Sequence, residues 1–322
     1  MPITMLVTGP TLASEARAEA AARGVRLLAI PPYTPSAEAA AIIAAEQVDA
    51  IIVRQCEITE AVITASPRLR VIVRHGVGYE NIDLVAAKKH GIPVYIARGA
   101  NSQSVAELAF GLMFALARSI PWLDGRTRSG HWDKPYPNGV ELQGRTLGIV
   151  GLGDIARALI AMVAPLRMSV LVLDPNKPAD APMPPGATRV PGLAALLAGS
   201  DFLSLHCPLT PVTRHMMDGA ALAQMRPGSF LINTARGGLI DEDALATALR
   251  DGPLAGAALD TFEQEPPAPD SPLWGLKNLI ATPHTGASTR AAIDRVGLIV
   301  LRTALDVIEG READPRALVS LK

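Results

Sequence analysis

The feature that most constrains this chain is an alternation kept up from end to end. Short, almost wholly aliphatic runs take turns with Ala-rich segments of helical spacing. The apolar runs fall at residues 4–9, 26–30, 49–53, 70–74, 93–97, 146–151, 169–174, 202–207, 229–234, 256–260 and 279–282. None alternates apolar with polar, so each reads as a strand covered on both faces. The segments between them stop at glycines, among them Gly24, Gly91, Gly252 and Gly310, as helices commonly do. Strands alternating with helices make a parallel α/β sheet, and right-handed crossovers restrict its topology. Two helices stand apart. One is expected to open on the capping box Ser104-Val-Ala-Glu107 and run to about Arg118; the other covers about 288–309. Residues 121–144 carry two tryptophans and no periodicity, and read as an irregular arm that packs on something. Residues 175–191, rich in proline, read as a linker-like loop.

At 322 residues the chain is expected to form two domains, each able to bury its own core. Thirty Lys and Arg stand against 31 Asp and Glu, and only 4% of residues are aromatic. A nucleic-acid protein needs a basic excess and stacking platforms, so that class is excluded. Two cysteines, Cys56 and Cys207, supply neither a disulfide framework nor a metal site, and no metal is expected. The most apolar helical stretch, 108–117, is too short to span a bilayer. The start Met1-Pro-Ile-Thr4 has neither a basic n-region nor an apolar h-region, so a cytoplasmic protein with no membrane partner is expected.

Gly151-Leu-Gly153-Asp-Ile-Ala156 fits Gly-x-Gly-x-x-Gly/Ala, a weak pattern alone. Its context strengthens it: a strand precedes it, and Ile155, Leu159, Ile160 and Val163 give the following segment a helical apolar face. The first glycine makes a tight turn and the second lets backbone approach a pyrophosphate. The helix N-terminus offers free N–H groups and the positive end of its dipole. The next strand ends at Asp174, 18 residues beyond Ala156, where a carboxylate would bind ribose hydroxyls and repel a 2′-phosphate. NAD is therefore expected over NADP. Because the fingerprint begins near the middle, the nucleotide domain is expected over 100–286. Residues 1–99 form another α/β unit, to which 287–322 return.

Six histidines can be weighed singly. His90 ends a helix, and His131 and His215 lie in loop-like sequence. His75, His206 and His284 each follow a strand, at the edge where ligands of such sheets lie, and spacing does not choose among them. Arg236 follows a strand among glycines, and its planar guanidinium suits a carboxylate. Glu265 follows another strand. For both, a surface role is the bland alternative.

Taken together, Gly151-Leu-Gly153-Asp-Ile-Ala156, Asn233-Thr-Ala-Arg-Gly237, Asp260-Thr-Phe-Glu-Gln-Glu-Pro266 and Thr282-Pro-His-Thr-Gly286 resemble the D-isomer-specific 2-hydroxyacid dehydrogenases. The resemblance extends to Arg74-His-Gly-Val-Gly-Tyr-Glu-Asn-Ile-Asp83 and Asn101-Ser-Gln-Ser-Val-Ala-Glu107, and is strongest to the D-3-phosphoglycerate dehydrogenase branch. It implies two doubly wound parallel-sheet domains, a Rossmann dinucleotide-binding domain and a discontinuous flavodoxin-like substrate domain. Arg236 would bind the substrate carboxylate, His284 would be the acid–base group and Glu265 would stabilise its imidazole. Asp260 would contact the nicotinamide carboxamide and Cys207 and Thr234 would line the cofactor. Asp154, Ile155, Ala235 and Gly286, from the same motifs, join Gly151, Gly153 and Asp174 in the cofactor set. Val77 and Gly78 would add backbone contacts to the substrate carboxylate, with Asn101 nearby. Arg54 and Arg74, each at a strand end, could neutralise a substrate phosphate.

The function implied is NAD-dependent interconversion of a D-2-hydroxy acid and its 2-keto acid, with 3-phosphoglycerate and phosphohydroxypyruvate favoured. A glyoxylate or hydroxypyruvate reductase, or another 2-keto acid reductase, is the enzymatic alternative; an NAD-sensing, corepressor-like interaction protein is the non-enzymatic one. A homodimer through 100–144 is implied as well. Departures from the family pattern are Ala156 for the third glycine and Arg98 where many relatives carry proline. No regulatory module is expected after Lys322.

Overall fold

A computed structural model describes residues 2–134 and 139–320. The chain divides into two compact units, Met1–Asn101 with Ser288–Lys322, and Ser102–Ala287.

The first unit holds β1 (Thr4–Thr8), β2 (Arg26–Ile30), β3 (Ala50–Val53), β4 (Val71–Arg74) and β5 (Val94–Ile96), all parallel, in the order β2-β1-β3-β4-β5. That is the flavodoxin-like order. Its strands are apolar on both faces because both faces are covered. Met5, Val7, Ile52 and Val73 pack with Val296, Val300, Leu301 and Leu305 of the helix Arg290–Ile308. Leu6, Ile51, Val53 and Ile72 pack on the other side with Ile43 of Ser36–Glu46 and Ala86 of Leu84–Lys89. The chain's last long helix thus completes the sheet formed by its first hundred residues. Thr289 caps it by accepting the Ala292 N–H at 3.1 Å.

The second unit holds β6 (Thr146–Val150), β7 (Ser169–Leu173), β8 (Ala187–Arg189), β9 (Phe202–Leu205), β10 (Ser229–Asn233), β11 (Leu254–Leu259) and β12 (Leu279–Ala281). The order is β12-β11-β10-β9-β6-β7-β8, again wholly parallel. Numbered from β6 this is the Rossmann order 3-2-1-4-5-6 with one further strand. One face lies under the helices Ser102–Ala117 and Asp154–Val163, where Met113 and Leu159 meet Ile149, Phe202 and Ile232. The other lies under Leu193–Gly199 and Glu242–Arg250, where Leu196 and Leu245 meet Leu205 and Leu231.

Register decides what this sheet presents at its carboxyl edge. Val150 pairs with Leu173 and Leu205, Asn233 with Leu205 and Leu259, and Leu259 with Ala281. One residue further on, Asp174, Gly151, His206, Thr234, Asp260 and Thr282 therefore stand in a single row. Ladder hydrogen bonds carry on into it, from Gly151 N–H to Leu173 O at 2.8 Å and from Asp260 N–H to Asn233 O at 2.9 Å.

Three expectations need correction. The helix opening at a Ser104 capping box begins earlier, at Ser102; Ser104 is buried inside it, and Glu107 instead accepts Gln103 Nε2 at 2.9 Å. The arm at 121–144 contains a helix, Ile120–Arg128, with Pro121 in its first turn and no buried residue, hence no apolar stripe to betray it. Residues 135–138 of that arm lie outside the described residues. The loop at 175–191 contains the edge strand β8, only three residues long. Among the described residues no single helix is long and apolar enough to cross a membrane, and no cluster of ligating side chains could hold a metal.

Candidate active site

The site begins at the turn after β6. Gly151 adopts φ +87°, and a Cβ there would lie 2.7 Å from the His206 carbonyl oxygen, so only glycine fits between β6 and β9. Gly153 precedes the helix Asp154–Val163, and the space where its side chain would project is open. Asp154 and Ile155 begin that helix, whose first N–H groups have no intrahelical partner. Ala156 is fully buried, so the third position of the fingerprint packs a methyl group into the core. Asp174 is 9% exposed; its Oδ2 accepts the Leu152 N–H at 2.8 Å and its Oδ1 the Asn176 N–H at 3.0 Å. The carboxylate therefore shapes the glycine turn directly. Further along the row, His206 Nδ1 and Thr234 Oγ1 are buried without partners, an unusual state for polar atoms. A glycine turn with an open face, a helix N-terminus, an aspartate and orphaned polar atoms in one row fit a dinucleotide. Burial pushes the Cys207 thiol up to about 11, so it lines the row uncharged.

Three strand ends along this edge carry the candidate catalytic side chains. After β10, buried Asn233 folds its amide back on its own turn, donating from Nδ2 to the Arg236 carbonyl at 2.8 Å and accepting the Ala235 N–H at 3.0 Å. Arg236 is extended there, and one of its guanidinium nitrogens donates to Ala235 O at 2.7 Å. Beyond β11, Glu265 Oε1 accepts the Phe262 N–H at 3.1 Å while Oε2 lies 2.8 Å from Nδ1 of His284. His284 itself sits at φ +53°, a conformation rare outside glycine. Its N–H is shared between Asp260 O at 2.8 Å and Thr282 O at 3.0 Å.

Electrostatics divide the three candidate histidines. The hydrogen bond to Glu265 holds His284 above the ordinary histidine value; burial and the Arg236 charge oppose that rise, and the charges of Glu265 and Asp260 add to it. For Glu265 burial works upward, but the His284 and Phe262 hydrogen bonds and the His284 and Arg236 charges prevail, leaving it below the ordinary carboxylate value. Burial instead lowers His206 to about 4, with its Nε2 on Ser204 Oγ at 2.9 Å. His75 is lowered to about 3 by burial and by the charges of Arg54 and Arg74. Of these three, only His284 pairs with a carboxylate and is raised above the ordinary histidine value. The other three bond to Glu60 (His90, 2.8 Å), Ser129 (His131, 3.3 Å) and Glu263 (His215, 2.9 Å).

Asp260, for which a nicotinamide contact is implied, also has partners within its own unit. It is 1% exposed, and its Oδ1 accepts from Thr282 Oγ1 at 2.6 Å and from the Thr285 N–H at 2.8 Å, while Oδ2 accepts the Gly286 N–H at 2.8 Å. The carboxylate thus organises the His284 loop. In the first unit, Arg74 donates to the backbone oxygens of Val53, Arg54 and Gly78, tying down the turn that carries Val77 and Gly78. Arg54 gives one N–H to Pro10 O at 3.0 Å and, among the described residues, has no acidic partner. Asn101 keeps a buried Oδ1 without a partner. Sequence reasoning missed Asn233 and Gly237 as supports of Arg236; their motif was noticed, but only the fold shows what they touch.

Comparison with known proteins agrees with this geometry. Residues 110–286 match the family described as D-isomer specific 2-hydroxyacid dehydrogenase, NAD binding domain. Over 83% of its length the chain is 43% identical to a D-3-phosphoglycerate dehydrogenase of Methanocaldococcus jannaschii, of which the match covers 51%. It is 45% identical over 81% of its length to an (S)-sulfolactate dehydrogenase of Chromohalobacter salexigens, covering 85% of that protein. The chain thus spans about half the length of its phosphoglycerate dehydrogenase relative. Among solved structures, the TT0316 protein from Thermus thermophilus superimposes with a TM-score of 0.88 at 34% identity, over 99% of this chain and 100% of that one.

Proposed function

Since the chain belongs to the D-isomer-specific 2-hydroxyacid dehydrogenase family, we propose that it interconverts a D-2-hydroxy acid and its 2-keto acid with NAD as hydride carrier. The observation that carries this reading is the His284–Glu265 pair at 2.8 Å, on the sheet edge that also bears Arg236 and the glycine turn.

In reduction, Arg236 receives the substrate carboxylate in a two-point ion pair that fixes the adjacent carbonyl. His284, protonated on Nδ1 toward Glu265 and on Nε2 toward the substrate, gives the Nε2 proton to the oxygen as negative charge develops there. Glu265 keeps the imidazole in the right orientation and favours its charged form. In oxidation the neutral imidazole takes the hydroxyl proton back. When bound, a nicotinamide cofactor would supply or accept the hydride, chemistry no side chain offers. Gly151, Gly153, Asp154 and Ile155 would hold the pyrophosphate, Asp174 the adenosine ribose, and Cys207, Thr234, Ala235, Asp260 and Gly286 the remainder.

For the substrate we favour 3-phosphoglycerate and phosphohydroxypyruvate, supported by Arg54, a half-buried cation whose burial costs something unless an anion answers it. Arg74 favours a substrate without a phosphate, such as hydroxypyruvate or glyoxylate, because its guanidinium already serves three carbonyls. A second copy of the chain is proposed to pack on the helix Ile120–Arg128, where Ile120 is 52% exposed and nearby Trp132 78%.

A spectrophotometric panel of NADH oxidation over phosphohydroxypyruvate, sulfopyruvate, hydroxypyruvate, glyoxylate and pyruvate tests the reading. The expected result is turnover of at least one, most efficiently phosphohydroxypyruvate. NADH binding without turnover anywhere in the panel would favour the sensor reading instead.

A further inference from the structure

Two residues that touch no reacting atom in this scheme fasten its parts together. The Asn233 amide closes the turn that carries Arg236. Gly237, the next residue and likewise buried, lies flat against the Phe262–Glu263 peptide; a Cβ on it would overlap the Phe262 carbonyl and the Glu263 nitrogen. The N–H of that same Phe262 donates to Glu265 Oε1, and Glu265 Oε2 meets His284 Nδ1. An unbroken chain of contacts therefore leads from Asn233 through the Arg236 turn, Phe262 and Glu265 to His284.

We infer that Asn233 and Gly237 are positioning residues that set the spacing between the Arg236 guanidinium and the His284–Glu265 pair. The inference rests on the proposed 2-keto acid chemistry and deepens it. In such a substrate the carboxylate carbon and the reacting carbonyl carbon are bonded neighbours. The group that holds one and the group that protonates the oxygen of the other must keep a fixed separation to a fraction of an ångström. Arg236 and His284 come from different strand ends, so nothing local to either loop fixes that separation. The glycine contact does, because any side chain there drives the two loops apart.

The test uses the full chain. Gly237→Ala is expected to lower kcat/KM for the best 2-keto acid by about 10²-fold or more, with NADH binding, followed by its fluorescence, unchanged. Asn233→Ser keeps one hydrogen bond at most; it is expected to raise KM for the keto acid by about tenfold, the worth of one lost buried hydrogen bond, with a smaller change in kcat. NMR titration of the His284 ring in the cofactor-free chain gives a readout independent of turnover. Moving the Phe262 peptide should loosen Glu265, so the ring titrates at lower pH in Gly237→Ala than in the wild type. If Gly237→Ala does not fold, the KM and kcat of Asn233→Ser decide alone. A wild type that turns over no keto acid refutes the proposed function, and the titration still judges the spacing. Unchanged kcat/KM and an unchanged His284 titration in soluble Gly237→Ala, or unchanged KM in Asn233→Ser, would overturn the inference.

Discussion

At the scale of single residues, the proposed chemistry turns on where His284 keeps its proton. Reduction needs the imidazolium and oxidation needs the neutral ring. Because Glu265 raises the His284 pKa, reduction should persist to higher pH than an unassisted histidine allows, then fall as the ring deprotonates. Glu265→Gln removes the charge and keeps most of the shape. Its alkaline limb of kcat/KM for reduction is expected to move to lower pH, and its oxidation plateau to begin at lower pH as well. A pH profile with both limbs where the wild type has them would separate Glu265 from the proton transfer. His284→Ala should cost about 10²-fold or more in both directions at every pH. The Arg236 charge works the other way on His284, so a substrate carboxylate that neutralises it should raise the ring further. Hence the alkaline limb of kcat should lie above that of kcat/KM. Arg236→Lys keeps the charge but loses the planar fork; it is expected to lose most of its turnover. Wild-type kcat/KM in that variant would make Arg236 structural.

At the scale of elements, the row across the second sheet's edge explains how six separate strand ends become one surface. Parallel register aligns the residue after each last pair. In the proposed cofactor site, Asp174 closes that row on the adenosine side. Its negative charge should make NADH better than NADPH by roughly tenfold or more in kcat/KM, the ratio that about 1.4 kcal/mol of charge repulsion produces. Equal use of NADPH would remove Asp174 from the ribose site. All eleven apolar runs became strands because both sheets are buried on both faces, and continuous hydrophobicity is the record of that. The strand β8 and the helix Ile120–Arg128 left no such record; one is a three-residue edge and the other buries nothing. In the site, Gly151, Arg236, Glu265 and His284 were legible as residue types in motifs. Their hydrogen bonds were not: a separation of 19 positions between Glu265 and His284 says nothing of a 2.8 Å contact made only when β11 and β12 lie side by side. Nor does Asp260 announce that both its oxygens accept hydrogen bonds from the 282–286 loop.

At the scale of the whole molecule, the two units differ in how the chain supplies them, and this predicts how each behaves alone. The second unit is continuous, Ser102–Ala287, and both layers of its core come from within that span. The first is not. One face of its sheet is closed by Val296, Val300, Leu301 and Leu305, from a helix nearly two hundred residues further along. Burying those four side chains stabilises the unit by on the order of 10 kcal/mol by area transfer, an upper figure but as large as the net stability of a typical domain. A fragment of residues 1–101 leaves Met5, Val7, Ile52 and Val73 facing water and should not fold, giving a poorly dispersed amide NMR spectrum. Joining residues 288–322 to it through a flexible linker should restore dispersion, because the missing layer returns with its Thr289 cap and the Arg302–Glu19 ion pair at 2.7 Å. Residues 102–287 alone should unfold cooperatively and, if the glycine turn and Asp174 hold the cofactor as proposed, quench or shift NADH fluorescence on binding. A well-dispersed spectrum from 1–101 by itself would show that the C-terminal helix is an ornament on that sheet and not one of its two layers.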